Sequence, residues 1–170
     1  EPALLDGSRA RVDVTDANKL SFVVRKEPRA SEAVGVESIL AALFLALQDA
    51  GKPTLSPEAE KAFDRMWSLQ KRGQDSPGGW AWFSLDRDPF EMPESQFYGV
   101  TLAALATAAA PVEYRNRTNV RDHVAALTEY LKREQRPQPK NNRLMASWAS
   151  TKLPTPLPGP MGPGTRPQPP

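Results

Sequence analysis

Residues 56 to 82 read Ser-Pro-Glu-Ala-Glu-Lys-Ala-Phe-Asp-Arg-Met-Trp-Ser-Leu-Gln-Lys-Arg-Gly-Gln-Asp-Ser-Pro-Gly-Gly-Trp-Ala-Trp. Ser56-Pro57-Glu58 is a helix start: a capping hydroxyl, a proline at the first helical position and an acid in the first turn. Ala59, Phe63, Met66 and Leu69 or Gln70 then fall on one apolar stripe, with Lys61, Asp64, Arg65 and Ser68 elsewhere on the surface. The pattern predicts an amphipathic helix that covers a core with one face and meets water with the other. Gly73 is expected to cap its end, and a turn-rich loop leads to Gly78-Gly79-Trp80.

The flanking segments predict further helices of two kinds. One runs from about Ser31 to Ala50, with Ser31 as cap and Glu32 in the first turn; Val36, Ile39, Leu40, Leu43, Phe44 and Leu47 recur at helical spacing. Its polar face is thin, so burial on more than one side is expected. Another, about Ser95 to Ala110, is apolar nearly all round and ends at Pro111. Between and after them, the stretch already quoted and about Asn119 to Glu134 (Val120, Val124, Leu127, Leu131) are amphipathic. A fifth helix, about Asn141 to Lys152, holds Leu144, Met145, Trp148 and Ala149. Trp67 and Trp148 are expected in the core. Interior helices thus alternate with outer ones, as two layers of helices require, although a plain bundle gives a similar pattern.

Three regions follow: residues 1–30 as an extended or irregular lead-in, 31–153 as a helical repeat domain, and 154–170 as a disordered tail. In the lead-in, Val12 and Val14, then Leu20, Phe22 and Val24, alternate with polar neighbours around Asp16-Ala17-Asn18, which allows a short hairpin. The tail holds eight of the 18 prolines together with Gly159, Gly162 and Gly164, a composition that builds no core.

The order Leu69-Gln70, spacer, Gly78-Gly79-Trp80 resembles the QW repeat of squalene–hopene cyclases and, more loosely, of protein prenyltransferase β subunits. Segments 36–43, 98–106 and 142–151 are similar to bacterial proteins with such repeats, and the similarity covers Ala30 to Pro154. It implies an all-α chain forming part of an α/α toroid of antiparallel helix pairs, 170 residues being too short for a complete one. It also implies that Gln70, Gly78, Gly79 and Trp80 are structural, the glutamine tying neighbouring helices and the tryptophan stacking near a helix end. The implied partners are an apolar or isoprenoid-like ligand and the remainder of a larger toroid. Two features depart from the family: a seven-residue spacer from Gln70 to Gly78, and the lack of the Asp-x-Asp-Asp acid of class II cyclases, to which Asp86-Arg87-Asp88 is the nearest approach.

Composition narrows the chemistry. The 22 basic and 20 acidic residues nearly cancel and form no single-sign run, so no nucleic-acid footprint is expected. Cysteine is absent and His123 is the one histidine. No disulfide, thiolate nucleophile or Cys/His zinc site is available, which leaves out the zinc-dependent prenyltransferase reaction; no metal or cofactor is expected, and the compartment is left open. No unbroken run of 18 apolar residues occurs, so no transmembrane segment is expected. The start at Glu1, without methionine, suggests a piece of a longer protein.

The stretch from Trp80 to Tyr98 has the texture of a site, holding six of the 13 aromatic residues. Asp86, Asp88, Glu91 and Glu94 are the candidate acids, and Trp82, Phe83, Phe90 and Tyr98 the candidate ligand contacts. Acids beside aromatic faces could protonate an alkene or form a carboxylate pair on a glycan; the plainer reading is solvated acids beside aromatics that close helix ends. His123, on the polar flank of its helix, is expected at the surface. The leading expectation is a helical repeat domain, not independently catalytic, that offers an apolar cavity or concave surface. One alternative is a fragment of a squalene-like terpenoid cyclase whose acid lies outside the chain. A second is a carbohydrate-active toroid using the 86–94 acids.

Overall fold

The described residues of the computed structural model are 12–16, 19–22, 29–136 and 138–153. Helices form the architecture, and the chain is all-α apart from one hairpin. There β1 (Val12–Asp16) pairs antiparallel with β2 (Lys19–Phe22), matching Val12 with Phe22 and Val14 with Leu20, with an irregularity between Val14 and Asp16. The rest of the expected lead-in, residues 1–11, 17–18 and 23–28, lies outside the described residues, as does the Pro-rich tail 154–170.

Helix α1 (Ala30–Gln48) packs on α2 (Pro57–Ser68) and on α3 (Ser95–Ala109); α3 packs in turn on α5 (Thr118–Glu134) and α6 (Lys140–Ser150). The result is a row, α1–α3–α6, covered by α2 and α5. These two covering helices also meet, through Trp67 stacked on His123 at 4.9 Å and the Glu60–Arg117 ion pair at 2.8 Å. α3 holds the centre because residues 99 to 107 are all buried, which its nearly unbroken apolar sequence permits.

The local signals of α2 act as its sequence predicts: Ser56 Oγ accepts from the Ala59 amide at 3.3 Å, and Ala59, Phe63, Met66 and Trp67 are buried. Its end differs. α2 stops at Ser68 with Leu69 at the C-cap, so Gly73 does not cap it and lies in the following loop. α1 also starts differently, since Arg29 rather than Ser31 occupies the N-cap position and no side chain caps the helix. α1 stops where Gly51, at φ +85°, turns the chain.

Burial of α1 is incomplete: α2 and α3 both pack on it and Leu40, Leu43 and Leu45 are partly buried against the core, but one strip stays open. Gly35, Ser38, Ile39, Ala42 and Ala46 face the protein, whereas Phe44 is 64% and Leu47 54% exposed. α1 is also long and apolar enough, by length and composition, to cross a membrane, although no unbroken apolar run marks it in the sequence. It includes Glu32 and Glu37 and packs against two helices. α6 buries Asn142, Ala146 and Ala149 but leaves Leu144 71% and Trp148 52% exposed, so Trp148 is not a core residue.

One element was not legible beforehand. After Pro111 the chain makes a single turn, α4 (Val112–Arg115), whose buried Tyr114 accepts a hydrogen bond from Trp67 Nε1 at 3.0 Å and packs on Phe63 at 4.8 Å. Burial raises the Tyr114 phenol to about 12, so it stays protonated.

Candidate functional site

Two adjoining structures are built by residues 70 to 98. The first is a polar tie at the end of α2. Gln70 is buried, and its Nε2 donates to the carbonyls of Gly78 at 3.2 Å and His123 at 3.1 Å. Its Oε1 lies 2.5 Å from His123 Nδ1. An amide oxygen can only accept, so Nδ1 bears the imidazole proton; Nε2 then accepts from Arg72 Nη2 at 3.2 Å. This tautomer is neutral. Burial first, then the Arg72 charge, pushes the His123 pKa below its ordinary 6.5, with Asp122 opposing. His123 is therefore a half-buried clip between α2 and α5, not the free surface histidine its helix position suggested.

The loop that returns to this tie is closed by its own backbone. The Lys71 amide donates to the Gly79 carbonyl and the Gly78 amide to the Lys71 carbonyl, both at 2.8 Å. Gly78 has φ +89°, and a Cβ there would overlap the Ala126 carbonyl of α5, so this loop approaches the helix as only glycine allows. Trp80 follows, 1% exposed, donating from Nε1 to the Met66 carbonyl at 2.7 Å with its ring 5.9 Å from that of Trp67. Gln70, Gly78, Gly79 and Trp80 thus all lie in one buried knot.

The second structure is the aromatic and acidic loop. Trp82 sits on Gly99 of α3, where a Cβ would overlap the indole, and donates from Nε1 to the Phe90 carbonyl at 2.9 Å. Tyr98 meets Trp82 edge-on at 6.0 Å and Phe90 at 4.8 Å, and burial raises its pKa. Trp82, Phe90 and Tyr98 are therefore one cluster. Phe90 is 47% exposed, and half-buried Phe83 makes no ring contact with the other three.

The loop backbone is held from several sides. Leu85 donates to the Glu91 carbonyl at 2.6 Å and Glu91 to the Arg87 carbonyl at 3.0 Å, with Asp86 at φ +54° in the bend. Asn141 Nδ2 reaches the Pro89 carbonyl at 3.3 Å, Asn142 Nδ2 the Glu94 carbonyl at 3.1 Å, and Arg29 Nη1 the Ser84 carbonyl at 2.9 Å. The acids are placed otherwise. Asp86, Asp88 and Glu94 are exposed and Glu91 is half-buried. No group of three His, Cys, Asp or Glu side chains that could hold a metal occurs among the described residues. Chemically, this is an aromatic surface on a firm loop with solvated acids beside it.

Two polar residues that the sequence did not single out matter to this framework. Asp49, 2% exposed at the end of α1, accepts from Lys52 Nζ at 2.6 Å and from the Ser56 amide at 2.7 Å, joining α1 to the start of α2. Asn142, 1% exposed, joins α6 to the loop and also donates to Gln138 Oε1 at 2.9 Å. Neither belongs to a motif; a polar residue interrupting an apolar helix face was the only available signal. Searched against family models, curated proteins and solved structures, this chain finds no match.

Proposed function

We propose that this chain is a helical repeat domain of the α/α-toroid type, not catalytic by itself, whose open apolar faces receive an apolar ligand or the remaining helices of a larger toroid. One observation supports this most. α1 is apolar on almost every side, yet on it Phe44 and Leu47 are more than half exposed. Exposed apolar surface in excess of scattered single residues marks a binding surface. The row of α1, α3 and α6 under α2 and α5 supports the same reading, as does the buried tie of Gln70 and Trp80, which the QW resemblance implies. The solvated acids of the 86–94 loop lend no comparable support to a glycan or alkene reaction.

Fluorescence titration with Nile red, a neutral apolar probe, tests this reading. The chain should bind it saturably, and Phe44→Ser with Leu47→Ser should weaken binding at least fivefold without lowering the melting temperature. Binding that ignores this double substitution, or no saturable binding by a chain that sediments as a monomer, refutes the proposal.

A further inference from the structure

The groove between α5, α4 and the end of α6 lies apart from both the aromatic loop and the exposed stripe of α1. Its volume is about 680 Å³, within the ~300–1,000 Å³ usual for small-molecule sites. One wall is a single stripe of α5, from Arg121 through Val124, Ala125 and Thr128 to Lys132, about 16 Å of helix at 1.5 Å per residue. Val112 and Leu153 add apolar surface from the other walls. Two hydroxyls in the lining are already used within their own helices: Thr107 Oγ1 donates to the Ala103 carbonyl and Thr128 Oγ1 to the Val124 carbonyl, both at 2.8 Å. Asn116 is the uncharged polar side chain left at the groove's rim.

The charges around it are one-sided. Arg115, Arg121, Lys132 and Lys152 line the groove against a single acid, Glu129, which Lys132 already engages at 2.8 Å. Arg115, Arg121 and Lys152 have no ion-pair partner among the described residues. Arg115 adds an independent sign, since its Nε is fully buried and has no hydrogen-bond acceptor. A buried guanidinium N–H without a partner is costly, and a shift of the Arg115 side chain toward an anionic oxygen in the groove would relieve it.

We propose that this groove binds a small amphiphile with one anionic head group, carboxylate or phosphate, taken by Arg115, Arg121 and Lys152, its alkyl chain lying along Val124, Ala125 and Leu153. Guanidinium groups suit such a head because they offer paired donors in a planar fork. Segment 154–170 has no acidic side chain to offer these cations.

Isothermal titration of the full chain at 150 mM salt tests the proposal, with dodecyl phosphate, inorganic phosphate and dodecyl maltoside as probes. Dodecyl phosphate, kept below its micelle concentration, should bind one to one and at least tenfold more tightly than either of the others. Arg121→Gln, on an exposed helix position, should weaken it about tenfold, the effect of losing one charge-assisted hydrogen bond. Arg115→Gln, checked for folding by circular dichroism, should do the same, and Phe44→Ser with Leu47→Ser should leave it unchanged. Equal binding of dodecyl maltoside, or indifference to Arg121→Gln, overturns the proposal. So does binding confined to phosphatidylglycerol vesicles without one-to-one uptake of the soluble amphiphile, which would assign the cations to a membrane surface.

Discussion

Trp80 offers the sharpest test of the knot that closes α2. Its side chain is 1% exposed, its ring meets Trp67, and its Nε1 donates to the Met66 carbonyl at 2.7 Å. Trp80→Ala removes a whole indole from packed surroundings, a change that costs about 3–5 kcal/mol. The hydrogen bond accounts for little of that, because the Met66 carbonyl also accepts from the Leu69 amide at 3.2 Å and is not left bare. Trp80→Phe, which keeps much of the ring and loses the N–H, should therefore cost only about 1–2 kcal/mol. With a urea slope of about 2 kcal/mol/M, the alanine variant should lose about 2 M in its unfolding midpoint and the phenylalanine variant less than half as much. Far-UV circular dichroism is the appropriate signal, since both substitutions change tryptophan fluorescence directly. Trp148→Ala, at a 52% exposed position, serves as the control and should stay within about 0.5 kcal/mol of the parent. A Trp80→Ala midpoint equal to that of the parent, or of Trp148→Ala, would show that residues 70–80 do not anchor α2 and α5.

Three further outcomes follow from individual contacts. Gly78→Ala combines a positive φ with a collision against the Ala126 carbonyl, so it should destabilise by about 2 kcal/mol or more, whereas Gly73→Ala, with open space around it, should be nearly silent in the same melt. His123 has a lowered folded pKa, so its contribution is complete above the unfolded value of 6.5 and is lost as pH falls toward the folded value; the pH slope of stability below 6.5 should flatten in His123→Gln. Asp49 is held at about 2 by its hydrogen bonds to Lys52 and Ser56 against an ordinary 3.8. The contribution of Asp49, about 2 kcal/mol, is present above pH 3.8 and disappears as pH falls through 2; Asp49→Asn should remove that acid-sensitive step from the denaturation curve.

What could be read beforehand was what the chain decides locally. Ser56, Pro57 and Glu58 start α2 because a hydroxyl cap, a fixed φ and an acid near the helix dipole act within one turn. Pro111 and Gly51 end helices for equally local reasons. Burial is another matter. An apolar helix such as α1 reads as enclosed from its sequence, but enclosure depends on which neighbours exist, and the described residues leave Phe44 and Leu47 more than half exposed. The exposure of Trp148 has the same cause. His123 shows the converse: a polar helix position becomes half-buried because Trp67, 56 positions earlier, supplies a flat partner at 4.9 Å. In the candidate site, the grouping of Trp82, Phe90 and Tyr98 depends on Gly99 admitting an indole, and the bend at Asp86 on a positive φ. Neither appears in composition or spacing.

The arrangement of open surfaces also discriminates between kinds of occupant. α3 stands between α1 and α6, so Phe44 and Leu47 belong to one flanking helix of the row and Leu144 and Trp148 to the other. Covering a large apolar side chain fully is worth about 1.5–3 kcal/mol, and these four retain roughly half or more of that unspent, so each end holds only about 2–4 kcal/mol. A separate protein must first meet an association cost of about 4–15 kcal/mol, and neither end alone offsets it. A tethered helix avoids most of that cost because its effective concentration is already in the millimolar range. The same few kcal/mol that cannot hold a separate protein can seat a covalently joined helix at each end.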